Sequence, residues 1–304
     1  GMRLTLIVVL CLLNAGCAIW RKDQAEPVDN QGPRKEDKAK PEEKPSDVLK
    51  PRGLRLASPV SDRFYVRGTY FNAKVESLVR IDPTVIDTPG SLLSGEQDLG
   101  LDDQIDQARI EFDFRLGERN HVRVDYFKVD RFAQVVLAEP ILFGDALFGT
   151  GVTFRTHLDW RTLGLTYTYS FFKSDRFEAG VGIGMHLLEG HLSGFAPGTN
   201  SMQKQDNVGI VPTAAINAAY RISKRWAVTL RAQGYDGKEY SNEDGDWRGE
   251  MYDYHFDVQY RWRKNFAVGL GYSSIENDLL VEGQGGGQFN LKADGPELFF
   301  RASF

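Results

Sequence analysis

Along most of this chain, apolar and polar residues alternate one by one. In "ARIEFDFRL", Ala108, Ile110, Phe112, Phe114 and Leu116 share one face, while Arg109, Glu111, Asp113 and Arg115 share the other. "FEAGVGIGMHL" sets Phe177, Ala179, Val181, Ile183, Met185 and Leu187 against Glu178, Gly180, Gly182, Gly184 and His186. "YDYHFDVQYRW" sets a row of aromatics against Asp253, His255, Asp257, Gln259 and Arg261. A period of two marks a strand whose faces meet different media. The chain ends in the same way, on "GPELFFRASF", with Leu298, Phe300, Ala302 and Phe304 in step. Termini of soluble domains are usually loose and polar, so this ending belongs to a built strand.

Alternation alone also suits a soluble sandwich. Three further features favour a barrel in a membrane. The runs reach about ten residues or more, enough to cross a bilayer at a tilt, against about five or six in soluble domains. The polar face mixes glycine and small residues with acids and arginines, as the inside of a narrow barrel would. Aromatics (Phe171, Tyr220, Trp226, Trp262, Phe266, Phe304) gather at strand ends, where an interfacial girdle belongs. The pattern predicts an all-β, antiparallel up-and-down transmembrane barrel over residues 61–304. Its strands fall near 62–76, 103–116, 119–130, 151–171, 175–190, 207–222, 224–236, 248–262, 264–276 and 287–304, ten in all, with eight as the alternative count.

The connections sort into two kinds. "GERN", "KSDR", "SKRW" and "RKNF" are short and polar, while the intervening ones near 81–100, 131–150, 189–207, 236–248 and 277–288 are long. Short periplasmic turns and long outer loops are the bacterial outer-membrane plan. Pro212 and Pro296 interrupt two strands, so a bulge or strand end is expected near each.

Upstream, residues 1–18 read as a secretory signal peptide: an early Arg3, a short apolar stretch, then small residues. "LNAGC" resembles the lipobox of bacterial lipoproteins, which implies lipidation of Cys17; Asn14 departs from that pattern, and cleavage after Ala18 is the alternative. Residues 19–60 are rich in Pro, Lys and Glu and read as a disordered periplasmic tether. The formal net charge of −5, with Lys and Arg spread along the chain, gives no reason to expect nucleic acid. Both cysteines precede the barrel, which excludes a disulfide within it.

Residues 62–304 resemble the small Gram-negative outer-membrane β-barrel proteins, and Phe304 resembles the terminal signal read by the barrel-assembly machinery. Ala302 departs where such proteins often carry an aromatic. The resemblance implies a monomer in the outer membrane, surrounded by its lipids and lipopolysaccharide, with the assembly machinery as partner.

The inward face would carry Arg109, Arg115, Arg123, Arg231, Arg261 and Arg301 against Glu111, Asp113, Asp125, Glu178, Asp253, Asp257 and Glu297. Near balance favours a salt-bridged plug, since buried charges need partners and a selective pore favours one sign. Gly164, Gly180, Gly182, Gly184, Gly269 and Gly271 would make room for the long side chains, or leave a crevice. Asp253 and His255 are a candidate catalytic pair, two residues apart on one face. The omptin proteases, also ten-stranded barrels, use an Asp–His pair with an Asp pair, but here only Asp102 and Asp103 offer a poor second couple. His191 and Ser193 lack an assignable acid, and "NEDGDW" (242–247) lacks calcium-loop spacing, so no metal or cofactor is expected. The segment 131–151 is too apolar for a free loop: it extends strands, packs over the mouth or gates a hydrophobic ligand.

The expected role is therefore structural, with a plugged or very narrow lumen. The alternatives are a channel for small solutes or hydrophobic ligands, and an outer-membrane hydrolase of omptin-like or lipid-modifying type. The barrel reading predicts that unboiled protein migrates apart from boiled protein on a denaturing gel and resists protease in intact cells. A single heat-independent band would contradict it.

Overall fold

The computed structural model describes residues 58–304 apart from 87, 198–201, 238–239 and 243–244. The signal peptide, Cys17 and nearly all of the proposed tether lie outside the described residues. Ten long strands follow one another: β1 (Phe64–Ile81), β2 (Gln104–Leu116), β3 (Asn120–Val136), β4 (Thr153–Lys173), β5 (Phe177–Phe195), β6 (Met202–Arg221), β7 (Trp226–Asp236), β8 (Gly245–Arg261), β9 (Phe266–Val281) and β10 (Gly287–Ser303). Each pairs antiparallel with its sequence neighbours. The ring closes where β10 meets β1, from Tyr65 opposite Ser303 to Ile81 opposite Gly287. The Phe304 amide adds a last bond to the Phe64 carbonyl, at 2.8 Å.

Five strands run farther than simple alternation suggests. β1 reaches Ile81, β3 Val136, β5 Phe195 and β9 Val281, while β6 begins at Met202. The reason is a change of phase within the strands. Low on β1, Arg67 and Thr69 are buried inside while Tyr70 is exposed; higher up, Phe71, Val75 and Val79 are buried and Lys74 and Glu76 face out. β4 does the same: Leu165, Tyr167 and Tyr169 face out below, but Phe154, Leu158 and Trp160 face in above, opposite Arg155, His157 and Asp159. The lower tier is polar inside and apolar outside, as lipid requires. The upper tier is apolar inside and polar outside, as water requires. On β10 the outward apolar run lasts from Pro296 to Phe304, about 20–25 Å of height for a tilted strand.

Aromatics mark both edges of this belt. Phe64, Trp226, Tyr260, Trp262, Phe266 and Phe304 stand at the short-turn end. At the other edge, the Tyr70 hydroxyl donates to Asp106 (2.6 Å) and the Tyr272 hydroxyl to Asp294 (2.8 Å). Pro296 falls at a lapse in the β1–β10 ladder, between Phe71–Glu297 and Lys74–Asp294, and pairing resumes in the same register. Pro212 lies just beyond the last β6–β7 pair, Ala214–Gly234. The proline sites are thus ladder interruptions on one side, and the register shift sits elsewhere, between Tyr169 and Phe172.

The upper tier is covered. A hairpin of Ile141–Phe143 and Ala146–Phe148 lies over the mouth, where Phe143 and Phe148 meet Phe154 edge-on. The segment 131–151 therefore both extends β3 and packs over the opening. The preceding loop is tied to it: Ser91 N–H donates to the Leu142 carbonyl, and the Thr84 hydroxyl and amide donate to Asp145. Those donors hold the Asp145 carboxyl below the usual carboxylate range. Beside the cap, the β2–β3 ladder stops at Arg109–Phe127. Above that point Arg131 bridges the gap, donating to Ser77 Oγ, Glu96 Oε1 and the Asp102 carbonyl.

The two tiers predict responses of different size to the same change on one strand. Leu270→Arg, in the middle of the lipid belt, should destabilise the barrel by about 2–4 kcal/mol. Leu280→Arg, on the same outer face of β9 but above the belt, should shift stability by less than about 1 kcal/mol. Urea unfolding in lipid vesicles checks both.

Candidate functional site: the charged lumen

Arg67 is the hub of the lower tier. Its side chain reaches Asp257 of β8 (2.7 Å), Glu111 of β2 (3.2 Å) and Glu297 of β10, and its guanidinium stacks 3.7 Å over the Phe299 ring. Arg231 of β7 grips Glu111 through both terminal nitrogens, at 2.5 and 3.3 Å. Thr229 donates to the other oxygen of Asp257. Five strands from opposite walls thereby converge on one set of charges. Paired, hydrogen-bonded ions are the form in which charge can be held away from water.

Two further groups lie below and above this hub. Toward the short turns, Arg115 binds Glu178 through two nitrogens (2.7 and 2.8 Å), and Ser170 and His121 complete that carboxylate. Arg115 also donates to the carbonyls of Val60 and Asp62, tucking the segment before β1 into the lower mouth. Arg301 meets Asp62 at 2.8 Å and lies over Tyr65, and His121 meets Asp113. Toward the upper tier, Arg109 donates to Asp253 (3.0 Å) and Asp125 (3.3 Å), while Arg123 donates to Gln233.

The candidate pair Asp253 and His255 sits in this upper group. Asp253 Oδ1 is 2.6 Å from His255 Nε2, and the two residues are 2% and 4% exposed. Arg109 lies against the same nitrogen at 2.5 Å, and Ser273 Oγ is 2.6 Å from Nδ1. A serine, a histidine and an aspartate therefore touch in sequence. Yet Ser273 donates its proton to Glu297 Oε2, at 2.6 Å, and not to the imidazole. A nucleophile needs the reverse arrangement and an approach for substrate. Here the chain of hydrogen bonds ties β8, β9 and β10 together.

Eleven of the twelve residues expected in the charge network, with Asp253 beside them, lie in these contacts. Arg261 stands apart at the lower mouth, half-buried. The alternation reading missed Arg67, because its neighbours on the inward face, Tyr65, Thr69 and Phe71, include two aromatics that suggested the lipid side. The glycines are filled rather than open. A Cβ at Gly269 would meet the Phe299 ring at 2.2 Å, one at Gly164 would meet Asp125 and His186, and one at Gly271 would meet Glu297. His157 and His191 lie on the outer wall of the upper tier, bonded to Asp130 and Asp206. Among the described residues, no group of three or more His, Cys, Asp or Glu side chains could hold a metal ion. The segment 242–247 lies partly outside the described residues.

A closed ten-strand barrel with a lipid-facing belt, aromatic edges and a polar interior defines an outer-membrane β-barrel protein. No protein-family model matches the chain, and no curated protein matches its sequence. Among solved structures it is similar to the outer membrane protease OmpT from Escherichia coli, over 82% of this chain and 99% of that one, with a TM-score of 0.50 and 10% identity. OprG from Pseudomonas aeruginosa matches over 82% and 97%, with a TM-score of 0.32 and 13% identity. Neisserial surface protein A matches over 79% and 97%, with a TM-score of 0.28 and 12% identity. At these identities the likeness is one of fold.

Truncating the hub leaves Asp257 and Glu297 without their arginine, and Glu111 with Arg231 alone. Arg67→Ala should cost about 3–5 kcal/mol, seen as a lowered temperature for loss of the heat-modifiable band. Arg67→Lys, which restores charge without the planar fork, should recover only part of that loss.

Proposed function

We propose that this protein is a closed, non-conducting outer-membrane barrel whose role is to build and maintain the cell envelope. The observation that carries this reading is the fill of the bore, which leaves a cavity of about 50 Å³ among Asp62, Tyr65, His121, Arg123, Glu178 and Arg231. From the lower mouth upward, the bore holds the Asp62 segment, the arginine–carboxylate network, then a stacked Trp160–Phe289 pair (4.4 Å) and finally the apolar cap. An eight-strand barrel is filled by side chains, and ten strands widen it only modestly. Long arginines against glycine walls take up that difference.

The hydrolase reading has less support. It would need a catalytic pair open to substrate, whereas Asp253 and His255 are committed to Arg109, Ser273 and Glu297 beneath an apolar tier. A hydrophobic-ligand channel would need the cap and the packed chamber under it to part together. Outer-membrane lipids and lipopolysaccharide would meet the belt, and the assembly machinery would meet the Phe304 strand.

Purified protein in planar bilayers should give no reproducible single-channel openings, and Arg67→Ala combined with Arg109→Ala should give brief small ones. Steady openings of the unmodified protein would overturn the closed reading. Peptidase or lipase activity that disappears in His255→Ala would overturn it in favour of an enzyme.

A further inference from the structure

The topology sorts charge by end in a way the linear order conceals. The four short turns and their flanking residues, 117–119, 173–176, 221–225 and 261–265, carry nine lysines and arginines against two acids. The five long connections, 82–103, 137–152, 196–201, 237–244 and 282–286, carry twelve acids and a single lysine. In the outer-membrane plan the short turns face the periplasm, and the inference below rests on that orientation. The lower rim is thus a cationic ring at the height of the aromatic girdle.

One sector concentrates it. Arg221, Lys224, Arg225 and Arg261 line a shallow cleft with Trp226, bounded by Ser58 and Pro59. Lys224 and Arg225 are exposed, and Arg221 and Arg261 are half-buried. Arg221 and Arg225 both repel Arg261, and the one carboxylate acting on it, Asp62, is bound to Arg301. Like charges held side by side raise the free energy unless an anion joins them. Arg225 donates to the Tyr260 hydroxyl (2.8 Å) and Arg263 lies 5.2 Å over Trp262, so part of the cluster is turned to the lipid side. Trp and Tyr at such an edge sit at headgroup level.

We infer that this sector is a binding site for the phosphate of an anionic phospholipid in the inner leaflet of the outer membrane. Arg221 and Arg261 meet the phosphate from the mouth, Arg225 and Lys224 from the turn, and Trp226 packs against the glycerol end of the acyl chains.

The test uses the full-length protein in mixed micelles of equal phosphatidylglycerol and phosphatidylethanolamine, with retained lipid read by native mass spectrometry. The protein should retain phosphatidylglycerol preferentially. Arg221→Gln with Arg225→Gln and Arg261→Gln should erase that preference, by roughly fivefold per cation removed. Heat-modifiable migration verifies the fold of the variant. Should that variant not fold, Lys224→Gln with Arg225→Gln, both in the exposed turn, carries the same comparison. Equal retention of the two lipids by the unmodified protein, or a preference untouched by the folded variant, would overturn the site. Inorganic phosphate in lipid-free detergent serves as the second arm. If it raises thermal stability as much as phosphatidylglycerol does, the ligand is a soluble anion and the lipid assignment falls. Lipid retention is read without conductance, so an open lumen would refute the closed-barrel reading and leave this one standing.

Discussion

In the middle of a bilayer no water is present to take a backbone hydrogen bond, so the sheet must close on itself. That constraint governs the rest of the molecule. Once β10 meets β1, the inward side chains of ten strands share a narrow bore and must satisfy one another there. The network around Arg67 follows from it. A guanidinium offers several donors in a fixed plane, and Glu111, Asp257 and Glu297 reach it from three other strands. Arg115 and Arg109 repeat the arrangement below and above. The arginines are long because they must cross the bore, and the opposite walls are glycine, alanine and threonine because something must make room.

Above the belt the same strands obey a different solvent. Phe71, Val75, Trp160 and Leu291 pack inside, and Lys74, Asp159 and Lys292 face outward. This tier is built like a small soluble barrel, with an apolar core and a polar coat. Its walls need not be continuous ladders, since water can satisfy a free edge. The β2–β3 ladder indeed ends at Phe127, and side chains such as Arg131 take over the closure.

Much of this was legible from the residues. All ten strands and the turn-and-loop alternation followed from period two and strand length. The upper ends of β1, β3, β5 and β9 were cut short because the polarity changes phase near Phe71, Val129, Leu188 and Ile275, and a reading tied to one phase stops there. Arg67 was hidden by the aromatics beside it on its own face. Ser273 was hidden because a small hydroxyl in a strand carries no pattern at all. The basic rim was hidden for a topological reason: its lysines and arginines are scattered over nearly 150 residues. Only the up-and-down path gathers them at one end.

The change of phase also sets a waterline. If the barrel sank toward its short-turn end by one residue pair, Lys74, Asp106, Lys128 and Asp294 would be drawn into acyl chains. If it rose by the same amount, Phe64, Trp226, Trp262 and Phe304 would leave the lower interface. Either displacement raises the free energy, so the protein rests in a well whose walls are the two ends of its own belt. The crossover within each strand thus acts as ballast, and fixes how far the upper tier stands clear of the bilayer.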